Sequence, residues 1–379
     1  MLLVYPVVIL LLMYCTLIVW YRRAWMDLPE ANNDPDSHVF KTTVTLIVPA
    51  RNESGNIECC IDSIIRQTYP ARLLQVLIMD DASEDDTALI ASLLARKHPY
   101  INVITLADDP LVKATKKAAI ETGIKLATGE LIIATDADCL HPPKWIEGLV
   151  SSYEQQHKKF IAAPVMFHTK PSVLSVFQTL DFLSLQGITG ASVHRNFHTM
   201  CNGANIAYSK KAFNEVNGFA GIDKLPTGDD MLLMHKIFTR YPDDITWIKN
   251  KNVLVLTDDA PTWKSFFQQR IRWASKAAYY DDKRIFYVLL LVYVFNAGLL
   301  VLGVWSFFSL ELFYWWLMIV ALKTITELYF LLPVASFFNK QKWLWTFPLF
   351  QPLHIVYTVI AGWLGKFGSY EWKGRTIGG

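Results

Sequence analysis

Leu131-Ile-Ile-Ala-Thr-Asp-Ala-Asp138 decides the fold of this chain. An apolar run ends in two carboxylates separated by one residue. It reads as a buried strand whose charges begin where the chain leaves its sheet. In an extended chain residues i and i+2 point the same way, so Asp136 and Asp138 are expected to converge on one ligand. Hard oxygen donors of this kind suit Mg2+ or Mn2+, and through such an ion a diphosphate. A polar strand-to-loop turn is the plainer reading of Asp-x-Asp by itself, so the rest of the chain has to decide between the two.

Upstream, strands at residues 44–48, 76–79 and 103–106 alternate with helices at 57–66, 87–97 and 116–127, the last closed by Gly129. Alternation of this size predicts a parallel α/β sheet with ligands at the carboxyl ends of its strands. Polar clusters fall at those ends: Pro49-Ala-Arg-Asn-Glu53, Asp80-Asp81, then Asp136 and Asp138. Downstream the pattern loosens. A strand is expected at 160–165, a mixed amphipathic helix at 172–187, a turn from Cys201 leading into a strand that ends near Tyr208, and a strand at 253–257. Gly228-Asp-Asp230 opens a helix, where carboxylates complement the positive end of the dipole. A further helix starts at Pro261 and carries Gln269-Arg-Ile-Arg-Trp273.

The 379 residues suffice for one substantial domain plus appendages. A hydrophobic fraction of 52% and a mean hydropathy of +0.24 exceed what a purely soluble enzyme needs, and the surplus lies at the two ends. Residues 2–20 are long and apolar enough to span a bilayer. Arg22 and Arg23 follow, with no basic segment or cleavage site before them, so a retained anchor with a cytosolic carboxyl side is expected. Residues 285–308, 312–337 and 344–364 are three further candidates, the last interrupted by Pro348 and Pro352. Lys323 and Glu327, one helical turn apart inside the second of these, are expected to face protein and pair, because a lone charge in lipid is costly.

The resulting layout is an anchor at 1–23, a linker at 24–40, a catalytic domain at 41–282, membrane or interfacial helices at 283–368 and a tail at 369–379. Four full spans would leave the basic tail outside, so 344–364 is expected to lie partly in the interface or to re-enter. A net charge of +2 gives no broad basic face for nucleic acid. Five cysteines without CxxC spacing fit a reduced cytosolic domain, not a zinc site or a disulfide framework.

Taken in order, these clusters resemble the membrane-bound family-2 glycosyltransferases with a GT-A fold, the group of hyaluronan, chitin and cellulose synthases and ceramide glucosyltransferase. The resemblance covers about residues 43–273. It implies a Rossmann-like α/β domain that binds a nucleotide sugar and is flanked by transmembrane helices. It also implies roles. Pro49, Ala50, Arg51 and Glu53 belong to the nucleotide-binding loop, and Asp80-Asp-Ala-Ser-Glu-Asp85 looks like the family's DD-x-S-x-D, with Asp81 accepting from a uracil N–H. Lys116 approaches the diphosphate. Glu121 stands where many relatives carry asparagine, so donor contacts there are expected to differ. Asp136 and Asp138 are the metal-associated pair. Asp230 is the general base, with Asp229 supporting it through like-charge proximity. Gln269, Arg272 and Trp273 form QxxRW, with Arg272 toward diphosphate and Trp273 offering a flat face to a sugar or acceptor.

His141, close to Asp138, is read as a loop residue and not as a metal ligand. The implied activity is metal-dependent, inverting transfer from a nucleotide sugar, by expectation a UDP-sugar, to a lipid or lipid-linked acceptor. The protein is expected to be multi-pass in a bacterial inner membrane, its catalytic domain in the cytosol, and able to oligomerise. Two rivals remain: a processive polysaccharide synthase, and a transporter or scaffold with a silent α/β domain, for which Lys323 and Glu327 are the specific support.

Overall fold

A computed structural model describes residues 4–31, 39–106, 116–222, 228–275, 282–372 and 375–378, and no side chain from 369 onward. The centre of the expected linker, residues 32–38, lies outside the described residues, as do residues 276–281 near the expected carboxyl boundary of the catalytic domain. The chain forms two compact units. One comprises residues 29–168 and 199–258, the other residues 1–28, 169–198 and 259–379. Segments 169–198 and 259–282, placed with the catalytic domain by the sequence reading, are therefore grouped with the apolar ends of the chain.

The first unit is built on a seven-stranded sheet. Strands β1 (Val44–Ala50), β2 (Leu74–Asp80), β3 (Ile101–Thr105) and β4 (Leu131–Ala134) are parallel. β5 (Phe160–Ala162), β7 (Ile206–Ser209) and β8 (Ile245–Trp247) complete the order β3-β2-β1-β4-β7-β5-β8, with β7 antiparallel to both neighbours. β1 and β4 are covered on both faces, which is why they read as continuous apolar runs and not as alternation. The expected strand at 160–165 divides: β5 stays in the large sheet, and β6 (Val165–Phe167) pairs in parallel with β9 (Val255–Thr257).

Helices α2 (Ile57–Ile65), α3 (Thr87–Ala95) and α4 (Lys116–Leu126) supply the crossovers, and α5 (Trp145–Gln156), α7 (Lys210–Glu215) and α8 (Met231–Arg240) follow. Gly129 enters β4 pressed against β1. A Cβ there would lie 2.4 Å from the Thr45 nitrogen, and its N–H donates to Thr45 Oγ1 at 2.9 Å.

The second unit is helical. It contains α1 (Val4–Asp27), α6 (Val173–His194), α9 (Trp263–Ser275), α10 (Lys283–Ser306), α11 (Leu310–Phe337), α12 (Phe347–Phe367) and a terminal hairpin of β10 (Ser369–Trp372) and β11 (Arg375–Gly378). Among the described residues, four of its helical segments are long and apolar enough to cross a membrane: 4–27, 283–306, 310–337 and 341–367. α6 is longer than the sequence predicts and buried along almost its whole length, so its polar positions face neighbouring helices instead of solvent.

The prolines expected to interrupt 344–364 do not break α12. Pro348 sits in its first turn, where an N–H would have no intrahelical partner, and the helix continues past Pro352. Lys323 and Glu327 pair as anticipated, at 2.7 Å. Lys323 also donates to Gln351 at 2.8 Å, and Gln351 returns a bond to Glu327 at 2.5 Å. Tyr14 donates to the same carboxylate, so α1, α11 and α12 share one buried polar cluster.

Candidate active site

The carboxyl ends of β1, β2 and β4 lie side by side in the first unit, and β7, being antiparallel, begins there. That end of the sheet gathers the charged loops. β4 stops at Ala134, and residues 137–138 form a turn. The expectation that Asp136 and Asp138 share one face of an extended chain is thus corrected: the chain bends between them. Thr135 anchors the bend. Its hydroxyl donates to the Ala204 carbonyl at 2.8 Å and accepts from His141 Nε2 at 2.8 Å. On the other side of the ring, His141 Nδ1 lies 2.8 Å from the Ser63 hydroxyl, which also donates to the Cys60 carbonyl at 2.7 Å. His141 is buried and is held neutral, burial lowering its pKa to about 3. It is a structural tie under the Asp-x-Asp turn, more enclosed than its sequence reading as a loop residue suggested.

Lys116, at the start of α4, joins the two ends of the acidic set. Its Nζ lies 2.5 Å from Asp136 Oδ1 and 3.3 Å from Asp229 Oδ2. Burial works against the ammonium charge, but the carboxylates of Asp136 and Asp229 outweigh it and hold Lys116 firmly protonated. Asp229 therefore faces a cation instead of acting only as a like charge beside Asp230.

Asp230 is the N-cap of α8. Its Oδ1 accepts from the Met231 N–H at 2.7 Å, and its Oδ2 accepts from the Gly203 N–H at 3.0 Å. Gly203 is in the turn that opens β7, and a Cβ there would come within 3.3 Å of both Lys116 Nζ and Asp230 Cβ. Gly228, at φ +85°, turns the chain into this cap in a region that favours glycine.

The carboxylates crowd around the bend. Burial first, then the charges of Asp136 and Glu53, push the Asp138 carboxyl up to about 6. Such a cluster of hard, mutually repelling oxygens fits a divalent cation. Among the described residues no three His, Cys, Asp or Glu side chains form a cage, so a cation held here would draw further ligands from water and a diphosphate.

The loop after β1 closes the same end. Arg51 Nη1 donates to the Asp81 carbonyl at 2.8 Å, and the Asp81 N–H donates to the Ala50 carbonyl at 2.8 Å. The Glu53 N–H donates to Thr87 Oγ1 at 2.8 Å, and Pro49 is half-buried in β1. Asp80 and Asp81 are both buried. Glu121 does not take part; it pairs with Lys125 at 3.7 Å on the solvent side of α4.

Gln269, Arg272 and Trp273 are on α9, in the helical unit. The residue between them that sequence reasoning passed over, Arg270, is buried and paired with Asp181 of α6 at 2.7 Å. The available signal was helical spacing: Arg270 shares a face with Phe266 and Trp273, an aromatic stripe that marks the packed side. Gly203 and Thr135 were also missed. They act through a backbone N–H and a hydroxyl bond, which leave no pattern in a sequence.

Comparison with known proteins follows the same lines. The model of Glycosyl transferase family 2 matches residues 45–216, and that of Glycosyl transferase family group 2 matches residues 131–365. Glycosyltransferase AglE of Haloferax volcanii is 34% identical over 109 residues, 29% of this chain and 34% of its own. The 4,4'-diaponeurosporenoate glycosyltransferase of Staphylococcus aureus is 27% identical over 199 residues, 52% of this chain and 48% of its own. The dolichyl N-acetyl-alpha-D-glucosaminyl phosphate 3-beta-D-2,3-diacetamido-2,3-dideoxy-beta-D-glucuronosyltransferase of Methanococcus voltae is 26% identical over 116 residues, 31% of this chain and 35% of its own. These matches span about a third to a half of the relatives' length. Among solved structures, the mannosyltransferase PcManGT of Pyrobaculum calidifontis, in complex with GDP-Man and Mn2+, superposes with a TM-score of 0.61 at 19% identity, over 95% of this chain and 98% of its own. The fold is thus GT-A-like.

Proposed function

Since this chain belongs to glycosyl transferase family group 2, we propose that it moves a sugar from a nucleotide sugar to a lipid or lipid-linked acceptor at a membrane, with inversion at the anomeric carbon. One observation carries the reading: Lys116 draws Asp136 and Asp229 together beside a capped Asp230, at the carboxyl ends of the sheet. The names of the Staphylococcus and Methanococcus relatives, and four apolar helices, support an acceptor of lipid character.

In this mechanism Asp136 and Asp138 would hold Mg2+ or Mn2+, which supplies charge neutralisation for the leaving diphosphate. Lys116 adds a fixed positive charge at the same place. Asp230 is the base. Two backbone N–H groups fix its orientation, and its carboxylate would take the proton of the acceptor hydroxyl. The Pro49–Glu53 loop and Asp81 bind the nucleotide, uridine on the family resemblance. Gln269, Arg272 and Trp273 serve the diphosphate and acceptor side. The transporter reading loses its specific support, because Lys323 and Glu327 are neutralised by each other and bonded to Gln351 and Tyr14.

The test is turnover by purified protein with Mn2+ and a panel of nucleotide sugars. An active wild type beside an inactive, folded Asp230→Asn is the expected result. Equal turnover in the two would sink the assignment of the base.

A further inference from the structure

Arg270 touches both ends of the motif in which it sits. Its Nη1 donates to Gln269 Oε1 at 3.0 Å, and its Cζ lies 4.2 Å from the centre of the Trp273 ring and 4.8 Å from that of Phe266. Only 4% of its side chain is exposed, as is 4% of its partner's, Asp181. The 2.7 Å approach of Nη2 to Asp181 Oδ2 is off the angle of a directed hydrogen bond, so charge, more than geometry, holds the guanidinium there. Asp181 is itself fixed from α12: Tyr357 donates to its Oδ1, and His354 Nε2 lies 3.9 Å away. Phe177, Phe266 and Tyr357 pack edge-on around the pair, 5.5 to 5.6 Å between ring centres.

A buried ion pair is a poor stabiliser compared with packed apolar groups of the same size. What this one does is hold a planar cation against a tryptophan face while gripping a glutamine amide. From this we infer that Asp181 and Arg270 are a positioning pair for the reaction: Asp181, steadied by Tyr357, sets Arg270, and Arg270 sets the Gln269 amide and the Trp273 ring. The inference rests on the reading that Gln269, Arg272 and Trp273 serve donor or acceptor. It adds that their presentation is controlled from α6 and α12.

The experiment uses full-length protein in detergent, with kcat and donor KM measured separately and thermal stability followed in parallel. Asp181→Asn keeps the shape and removes the charge. Its kcat is expected to fall at least about tenfold, as misplacing a reacting group does, with donor KM changed less than about twofold. In a Trp273→Ala background the same change should cost less than about twofold, since coupled residues are not additive. Arg270→Lys, which keeps the charge but loses the fork, should fall between Asp181→Asn and wild type. Tyr357→Phe carries the same test if Asp181→Asn does not fold.

A wild-type kcat in Asp181→Asn, or an equal loss with and without Trp273, overturns the pairing while leaving the site reading intact. Wild-type turnover in both Trp273→Ala and Arg272→Ala overturns the site reading itself, and this inference with it.

Discussion

Lys116 is the residue on which the acidic corner depends. Its ammonium is the charge that lets Asp136 and Asp229 approach the same point. Lys116→Met should raise the donor KM roughly 10- to 100-fold, the range set by a lost charge-assisted hydrogen bond. Glu121→Gln, on the solvent side of the same helix, should stay within about twofold of wild type, since exposed pairs contribute little. Steady-state kinetics on the two variants checks both. Lys116 was found from the sequence only through a family motif. Its bridge to Asp229 joins residues over a hundred positions apart, which local pattern does not encode.

His141 carries the pH dependence. Its pKa is near 6.5 when unfolded and about 3 when buried. Between those values the unfolded chain binds a proton that the folded chain refuses, so stability is full above about 6.5, falls as pH drops toward 3, and changes no further below. The gap corresponds to on the order of 5 kcal/mol. His141→Phe should flatten this part of the stability curve while leaving the Thr135 and Ser63 hydroxyls short of a partner, at a cost of roughly 1–3 kcal/mol at neutral pH. Denaturant melts of the two proteins from pH 4 to 7 test this; parallel slopes would contradict it.

Among the elements, β4 shows how much of the fold was written locally. Its apolar run, the glycine before it and the carboxylates after it were all readable, because a parallel strand buried on both faces needs apolar side chains in sequence. The bend between Asp136 and Asp138 was not, since Ala204 and His141 impose it from outside the strand. Gly129→Ala should cost about 1–3 kcal/mol by forcing β1 and the entry to β4 apart, measurable as a lower melting temperature.

In α11 the charged pair was legible because i, i+4 spacing alone brings Lys323 to Glu327. Its links to Gln351 and Tyr14 were not. Lys323→Met leaves a buried carboxylate without its cation and should destabilise by about 3–5 kcal/mol, whereas Lys323→Met with Glu327→Leu should recover most of that. Thermal unfolding in detergent distinguishes the two.

For the molecule as a whole, alternation of strands and helices was enough to predict the sheet, and hydropathy enough to locate four apolar helices. The grouping of 169–198 and α9 with the apolar helices escaped the reading, because their aromatic and small residues resemble any buried surface. The same grouping puts QxxRW in the helical unit and the acidic set in the sheet unit.

The most direct measurement follows the sugar. Membranes containing this protein are supplied with Mn2+ and labelled nucleotide sugars, and the label is partitioned between organic solvent and water. Label in a discrete, solvent-extractable glycolipid, absent with Asp136→Asn, is the predicted result. Label in a high-molecular-weight, glycosidase-sensitive fraction, or equal labelling by Asp136→Asn, would contradict it.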